Sequence, residues 1–344
     1  MPFGASETAE REPTLPQANF SRLRLIWSQL LDQLKMPPAP GRIVIYPRIR
    51  NFVRDVLAEG RRKNIAHLTF EADIGPMRER LAEHRRRSAE PVSITSYVAK
   101  SFACAIEEDK RMQAYRLGKS RLVLFDDVDL VFMIEREWEN EPIPVFSIVR
   151  AAQRKATHEI HRELQMAKEA PLGTDGPMNA LEMQFFLLPS FLRRVLWFFV
   201  RRNPYWFKDV AGTALVSSMG MFTSGASVGV PITPMTLSLC IGSIEKKLAL
   251  LDGQVIEREV LHLNISIDHD IIDGAPLVRF AERFKKILLD GRALPARTAE
   301  PHKIMPALGR MSAGAVGSRH RASGDLGSRN RDCAGQRGSG RLSP

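Results

Sequence analysis

The sequence predicts an α/β fold, and three stretches carry that prediction. Leu261 to Ile267 is an apolar alternating run of the strand type. Directly beyond it, Leu277, Phe280, Phe284, Ile287 and Leu288 fall at helical spacing between Ala275 and Leu289. Thr95 to Glu108 is a second, strongly apolar helix suited to a core. A chain of 344 residues with 44% hydrophobic content is long enough for one large domain or two small ones.

The other elements follow in order along the chain. Phe20 to Lys35 places Phe20, Leu23, Ile26, Trp27, Leu30, Leu31 and Leu34 on one helical face. Asn19 caps its start and Pro37, Pro38 and Pro40 end it. Ile43 to Tyr46 is a short strand and Asn51 to Arg62 a helix. His67 to Ile74 alternates as a strand does, and Gly75-Pro76 closes it. Pro76 opens a charged helix that runs to Arg87. Leu122 to Phe125 and Asp129 to Glu135 read as strands about an Asp126-Asp127 turn. The spacing predicts a helix from Ser147 to Ala167, then a loop at Gly173 to Gly176. Met235 to Ile244 is a further apolar strand.

Composition limits the function classes. Cys104, Cys240 and Cys333 are too few and too scattered for a disulfide framework or a zinc site. Met1 to Gln17 has no apolar signal region, so the cytoplasm is the expected compartment. More than half of the net charge of +11 lies beyond Pro301, in a Gly/Ser/Arg-rich tail too poor in apolar residues to offset its ordering entropy. No nucleic-acid module or aromatic interleaving accompanies that charge, so nucleic acid is not an expected partner. His158-Glu159-Ile160-His161 spaces its histidines three apart, where the helical zinc motif needs four, so no metal is expected.

The chemistry concentrates at Asp268-His269-Asp270-Ile271-Ile272-Asp273-Gly274. A histidine at a strand end, four residues before an Asp-Gly turn, suits a general base, because imidazole titrates near neutral pH. The His-x-x-x-Asp-Gly pattern resembles the active-site motif of the dihydrolipoyl acyltransferases, the core subunits of 2-oxoacid dehydrogenase complexes. Val210-Ala211-Gly212-Thr213-Ala214-Leu215-Val216-Ser217-Ser218-Met219-Gly220-Met221-Phe222 resembles that family's strand and turn of the form G-T-F-T-I-S-N-L-G-M-F. Val92 to Ala105, the Met112-Gln113-Ala114 turn and Pro144 to Leu164 resemble further parts of the same domain. The resemblance covers Ile43 to Leu289.

The resemblance implies a chloramphenicol acetyltransferase-like mixed sheet flanked by helices, working as a homotrimer. It implies acyl transfer between a thioester such as acyl-CoA and a thiol or another acceptor, with coenzyme A as co-substrate and no metal. His269 is the implied base and Ser217 the implied hydroxyl donor to the oxyanion, with Ser218 the alternative. Asp273 is implied to hold the histidine loop by pairing with an arginine, Arg48 or Arg50. Asp268 is a second loop-fixing candidate, and Gly274 is expected to serve the turn's backbone conformation. Where the family has arginine after the histidine, this chain has Asp270. A carboxylate facing the imidazole would raise its pKa. No lipoyl segment is recognisable, so a lipoyl group, if used, is expected on another lipoyl-bearing or carrier protein.

These readings divide the chain into an N-terminal extension (1–40), a catalytic domain (41–292) and a disordered basic tail (293–344). The apolar, arginine-bracketed segment 178–208 is an insert within the domain, too short and interrupted to span a bilayer. It is expected to pack on the domain or a neighbouring subunit, to lie in a membrane surface, or to line an acyl tunnel. A non-catalytic trimeric scaffold and a membrane-surface acyltransferase with a lipid-like acceptor are the rival functions.

Overall fold

The structure, a computed structural model, describes residues 28–29, 41–42, 46, 50–88, 90–138, 141–170, 188–220 and 225–294. Apart from the helical Ser28 and Gln29 and from Tyr46, the expected helix at 20–35 and strand at 43–46 lie outside the described residues. So do the 173–176 loop, residues 178–187 of the insert, and the tail from 295 onward. The chain divides into two compact units, 1–46 and 47–344. The second holds the elements described below.

In chain order these are α1 (Arg50–Gly60), β1 (Ile65–Asp73), α2 (Gly75–Arg87), α3 (Ile94–Glu108), a 3₁₀ turn (Lys110–Gln113), β2 (Tyr115–Leu117) and β3 (Arg121–Val123). There follow β4 (Leu130–Trp138), β5 (Glu141–Val149), α4 (Thr157–Glu169), α5 (Ser190–Val200) and α6 (Pro204–Ala211). The last are β6 (Ala214–Ser218), β7 (Leu237–Leu251), β8 (Gln254–Asp268) and α7 (Gly274–Asp290). Six strands form one mixed sheet in the order β1-β8-β7-β6-β4-β5, with β2 and β3 a separate ribbon. β6 runs parallel to both β4 and β7, and the remaining pairs are antiparallel.

One face of the sheet is apolar across its width. Leu261, Leu263, Ile265 and Ile267 of β8 join Leu237, Leu239 and Ile241 of β7, Val216 of β6 and Leu130 of β4 in a single buried cluster. Helices α3 and α7 cover it, with Phe102 edge-on to Phe280 at 5.9 Å and to Phe284 at 5.4 Å. A reciprocal cap starts α3: Ser96 N donates to Ser93 Oγ and Ser93 N to Ser96 Oγ, each at 3.1 Å. Such a cap contributes about 1 kcal/mol.

The opposite face divides into two halves. Under α5 and α6 it is apolar, with Val131, Leu215, Trp197, Phe207, Tyr115, Phe125 and Met235 in a second cluster. Toward β8 it is polar and buried, carrying Ser217, Ser238, Asn264, Ser266 and Asp268 beside Cys240. Alternation along β8 produces this division, since residues 264, 266 and 268 face away from the apolar set 261, 263, 265 and 267.

Three expectations need correction. The helix expected from Ser147 starts at Thr157, because Ser147 to Val149 belong to β5 and pair with β4. Pro142 and Pro144 are tolerated there because β5 is the sheet edge, where no further ladder bond is required. The strands expected over Met235–Ile244 and Leu261–Ile267 are parts of one long hairpin, turned at Asp252 (φ 50°) and Gly253 (φ 79°). Gly274, expected to serve a special turn conformation, opens α7 without a positive φ, and a Cβ there would meet nothing.

Close approach explains two other glycines. A Cβ on Gly220 would lie 2.1 Å from Gly242 O, and one on Gly242 would lie 2.2 Å from Ser227 O. Those contacts bring the chain after β6 tightly against a bulge in β7 between Ile241 and Ile244. Ala151 (φ 48°) is strained, since left-handed backbone costs a side-chain-bearing residue roughly 1–2 kcal/mol. Ala151→Gly is expected to stabilise the fold by about 1 kcal/mol, read as a higher urea midpoint at unchanged slope. A lower midpoint would refute the strain reading.

Candidate active site

The histidine loop leaves β8 and enters α7, and the junction between α1 and β1 grips it. Lys63 Nζ lies 2.6 Å from Asp268 Oδ2. His269 N donates to Asn64 O at 2.7 Å. Asn64 Nδ2 donates to Asp270 Oδ1 at 2.9 Å. Asp268 is buried and also receives the Asp270 amide on Oδ1 at 3.2 Å, while its own amide donates to Thr236 O. The loop backbone is therefore fixed on both sides of residue 269. The imidazole remains open to solvent, with its side chain 50% exposed.

Asp273 lies where the histidine loop enters α7. It is the N-cap residue of α7 but makes no side-chain cap bond, and its side chain is 85% exposed. Its nearest ionic neighbour is His269 Nδ1 at 4.0 Å. Arg48 lies outside the described residues, and no ion pair joins Asp273 to Arg50 among the described ones. Among the described residues, Lys63, Asn64 and Asp268 hold the loop. Asp268 was a candidate for this role; Lys63 and Asn64 carry no motif and were missed.

Asp270 is engaged by Asn64, and its Oδ2 lies 3.9 Å from Arg116 of β2. No ion pair joins it to His269 among the described residues. Beside the loop opens a cavity of about 360 Å³. Lys63, Tyr115, Arg116, Arg201, Phe207 and both chain neighbours of His269 line it. The described part of the insert thus packs on the domain and lines this cavity. Arg193 of α5 anchors it through Nε, 2.6 Å from Asp55 Oδ2 of α1.

Strand alternation separates the two candidate serines. Ser217 stands on the polar face opposite Cys240 and is buried, while Ser218 points to the other side of the sheet. Burial pushes the pKa of the neighbouring Cys240 thiol up. Along the same face Ser266 Oγ donates to Asn264 Oδ1 at 2.7 Å and lies 2.7 Å from His67 Nδ1. Burial lowers the His67 pKa. Among the described residues no three His, Cys, Asp or Glu side chains are grouped to hold a metal.

The register does not bring Ser217 and His269 together within one protomer. Ser217 pairs with Cys240, Cys240 pairs with Asn264, and His269 lies five residues beyond Asn264. Five residues of rise and two strand spacings separate them by roughly 19 Å.

The architecture is that of the catalytic cores of dihydrolipoyl acyltransferases. The Azotobacter vinelandii dihydrolipoamide acetyltransferase superposes with a TM-score of 0.55 at 17% identity, over 75% of this chain and 99% of that one. A probable dihydrolipoamide acetyltransferase from Listeria monocytogenes superposes with a TM-score of 0.52 at 18% identity, over 75% and 98%. Residues 205–294 match the family described as 2-oxoacid dehydrogenases acyltransferase (catalytic domain).

Curated relatives agree. The lipoamide acyltransferase component of the branched-chain alpha-keto acid dehydrogenase complex of Bacillus subtilis is 25% identical over 195 residues, 56% of this chain and 38% of that protein. The succinyltransferase component of the Azotobacter vinelandii 2-oxoglutarate dehydrogenase complex is 34% identical over 86 residues, 25% of this chain and 21% of that protein. The chain thus spans well under half the length of either relative.

Proposed function

We propose that this chain is an acyltransferase of the dihydrolipoyl acyltransferase type, moving an acyl group between a thioester of coenzyme A and a thiol. The observation that carries the reading is a histidine whose backbone is clamped by Asn64 and the Lys63–Asp268 pair while its ring stays open. A thiol of ordinary pKa near 8.5 is mostly protonated at neutral pH and needs a base to attack. His269 Nε2 takes the thiol proton as sulfur adds to the thioester carbonyl. The tetrahedral oxyanion accepts a hydrogen bond from Ser217 Oγ, then collapses. The departing thiolate recovers the proton from the imidazolium.

The separation of roughly 19 Å within one protomer means that a shared site needs His269 from one subunit and Ser217 from the next. A homotrimer satisfies this. The serine, histidine and asparagine studied for their catalytic roles in the Azotobacter vinelandii enzyme have the same separations in sequence as Ser217, His269 and Asp273. An aspartate here takes the place of that asparagine. The lipoyl group, if it is the acceptor, comes from another protein.

Two impaired variants test this reading together. Ser217→Ala is expected to lower acyl-CoA turnover by about 10²–10³-fold, the usual cost of one oxyanion donor. His269→Ala is expected to lose about 10²–10⁴-fold. Mixed oligomers of the two, formed by unfolding and refolding together, are expected to regain activity, because some interfaces then carry an intact serine facing an intact histidine. Mixtures no more active than either parent would refute the shared site.

A further inference from the structure

The outer surface of α5 and α6 has no role in the proposed chemistry. The inner face of α5 is buried at Arg193 and Trp197, and that of α6 at Pro204 and Phe207. The outer face is apolar as well: Phe191, Val195, Phe199, Trp206 and Val210 are all exposed, Phe191 by 67% and Val210 by 61%. Large apolar side chains gathered on two adjoining short helices form a patch of the kind that marks an interaction site.

The charge around the patch has one sign. From Leu188 to Ala211 there are five Arg or Lys residues, Arg193, Arg194, Arg201, Arg202 and Lys208, against the single acid Asp209. Arg193, Arg201 and Lys208 are engaged by Asp55, Glu59 and Asp129. Arg194 and Arg202 are exposed and form no ion pair among the described residues. Arg202 stacks on Phe198 with its guanidinium 4.0 Å from the ring centre, which fixes a cation at the end of the apolar strip.

A second apolar patch, at the tip of the β7–β8 hairpin, shows the contrast. Leu248, Leu250 and Val255 are exposed there, but Lys246 is paired with Glu257 and Lys247 with Glu71. Mixed, paired charge suits contact with a protein surface. Apolar and aromatic side chains rimmed by unpaired arginines suit a layer that is apolar below and anionic above. No helix among the described residues is long and apolar enough to cross a membrane.

We propose that the outer face of α5 and α6 docks this protein onto an anionic lipid surface. Phe191, Phe199 and Trp206 enter the boundary between headgroups and acyl chains, while Arg194 and Arg202 meet lipid phosphates. The helices lie in the plane of the surface and leave the histidine loop facing water.

Flotation of the full chain with vesicles tests this independently of any activity. One set is phosphatidylcholine alone, the other contains phosphatidylglycerol as the anionic component. The wild type is expected to float with the anionic set and to remain largely unbound with the neutral one. Arg194→Gln and Arg202→Gln are each expected to weaken binding about fivefold, the usual contribution of one basic residue near an anionic surface. The Phe199→Ser, Trp206→Ser double variant is expected to lose binding while keeping the wild-type circular dichroism and melting temperature. All variants retain the basic tail, so equal flotation of wild type and double variant would assign any binding to the tail and overturn the proposal. Absence of flotation, or equal flotation with both lipids, would also overturn it. So would a double variant whose oligomer becomes smaller by sedimentation while vesicle binding is unchanged, because the patch would then be a contact between copies of the chain.

Discussion

Replacing His269 by alanine is expected to lower acyl-CoA-dependent transfer by about 10²–10⁴-fold, the range contributed by a positioned general base. The loss arises at the thiol. Without the imidazole only the small equilibrium fraction of thiolate attacks, and the tetrahedral adduct has no acid to protonate its leaving group. The fold is expected to survive, because the His269 side chain is 50% exposed and the loop is held by backbone and neighbouring side chains. A melting temperature within about 2 °C of wild type, together with the loss of turnover, would isolate the chemical role, since a surface change usually costs under about 0.5 kcal/mol. Free-thiol release from a series of acyl-CoA thioesters is the measurement. Unchanged turnover of an accepted thioester would remove His269 from the mechanism and leave a trimeric scaffold as the better account.

The largest expected effect on stability falls at Asp129. This carboxylate is buried and gathers Arg150 Nη1 at 2.9 Å, Lys208 Nζ at 2.8 Å and the Ala151 amide at 2.9 Å. Burial alone would raise its pKa, but the bonds from Lys208, Ala151 and Arg150 outweigh it and hold the carboxyl below the ordinary range. Arg150 also donates to the carbonyls of Lys208 and Asp209, so the cluster ties the end of α6 to the start of β4. Asp129→Ala is expected to cost about 3 kcal/mol, the lower end of the range for breaking a buried pair, because Arg150 and Lys208 reach solvent once released. For a domain of this size that lowers the melting temperature by roughly 6–12 °C.

The pH dependence has a fixed direction. A carboxyl whose pKa is depressed by folding contributes its stability above the unfolded value near 4, and loses it as the pH falls through the lower folded value. Wild type is therefore expected to lose stability below about pH 4 more steeply than Asp129→Ala, with the two denaturation midpoints converging. Parallel curves would mean that this carboxylate titrates alike in the folded and unfolded chain.

Local pattern was enough for much of the architecture. The apolar helix at 94–108, the amphipathic helix at 274–290 and the β1 strand were legible because their periodicity and their burial coincide. The β7–β8 hairpin was legible only in its buried halves. Its outer halves, with Glu, Lys and Arg among exposed leucines, lack a buried face to give alternation, although Asp252-Gly253 is a strong two-residue turn signal. Ser147 to Val149 read as helix because only the distant partner β4 draws them into the sheet.

The candidate site was legible where it follows a local motif, and was missed where it depends on long-range contact. His269 and Ser217 are named by short segments. Lys63 and Asn64 lie 205 and 206 residues from the aspartates that they hold, and nothing adjacent to them in sequence announces that role. The choice between Ser217 and Ser218 required the strand's orientation, which pairs Ser217 with Cys240 on the polar face.

That same distance in sequence has a consequence for synthesis. β1 has β8 as its sheet partner, so the first strand to leave the ribosome must wait for the last. At about 5–20 residues per second the interval is roughly 10–40 s. Throughout it the apolar side chains of β1 lack the neighbouring strand β8. Folding of this domain is completed only after the nascent chain has delivered β8, and holdase chaperones acting early on the emerging polypeptide will set its yield.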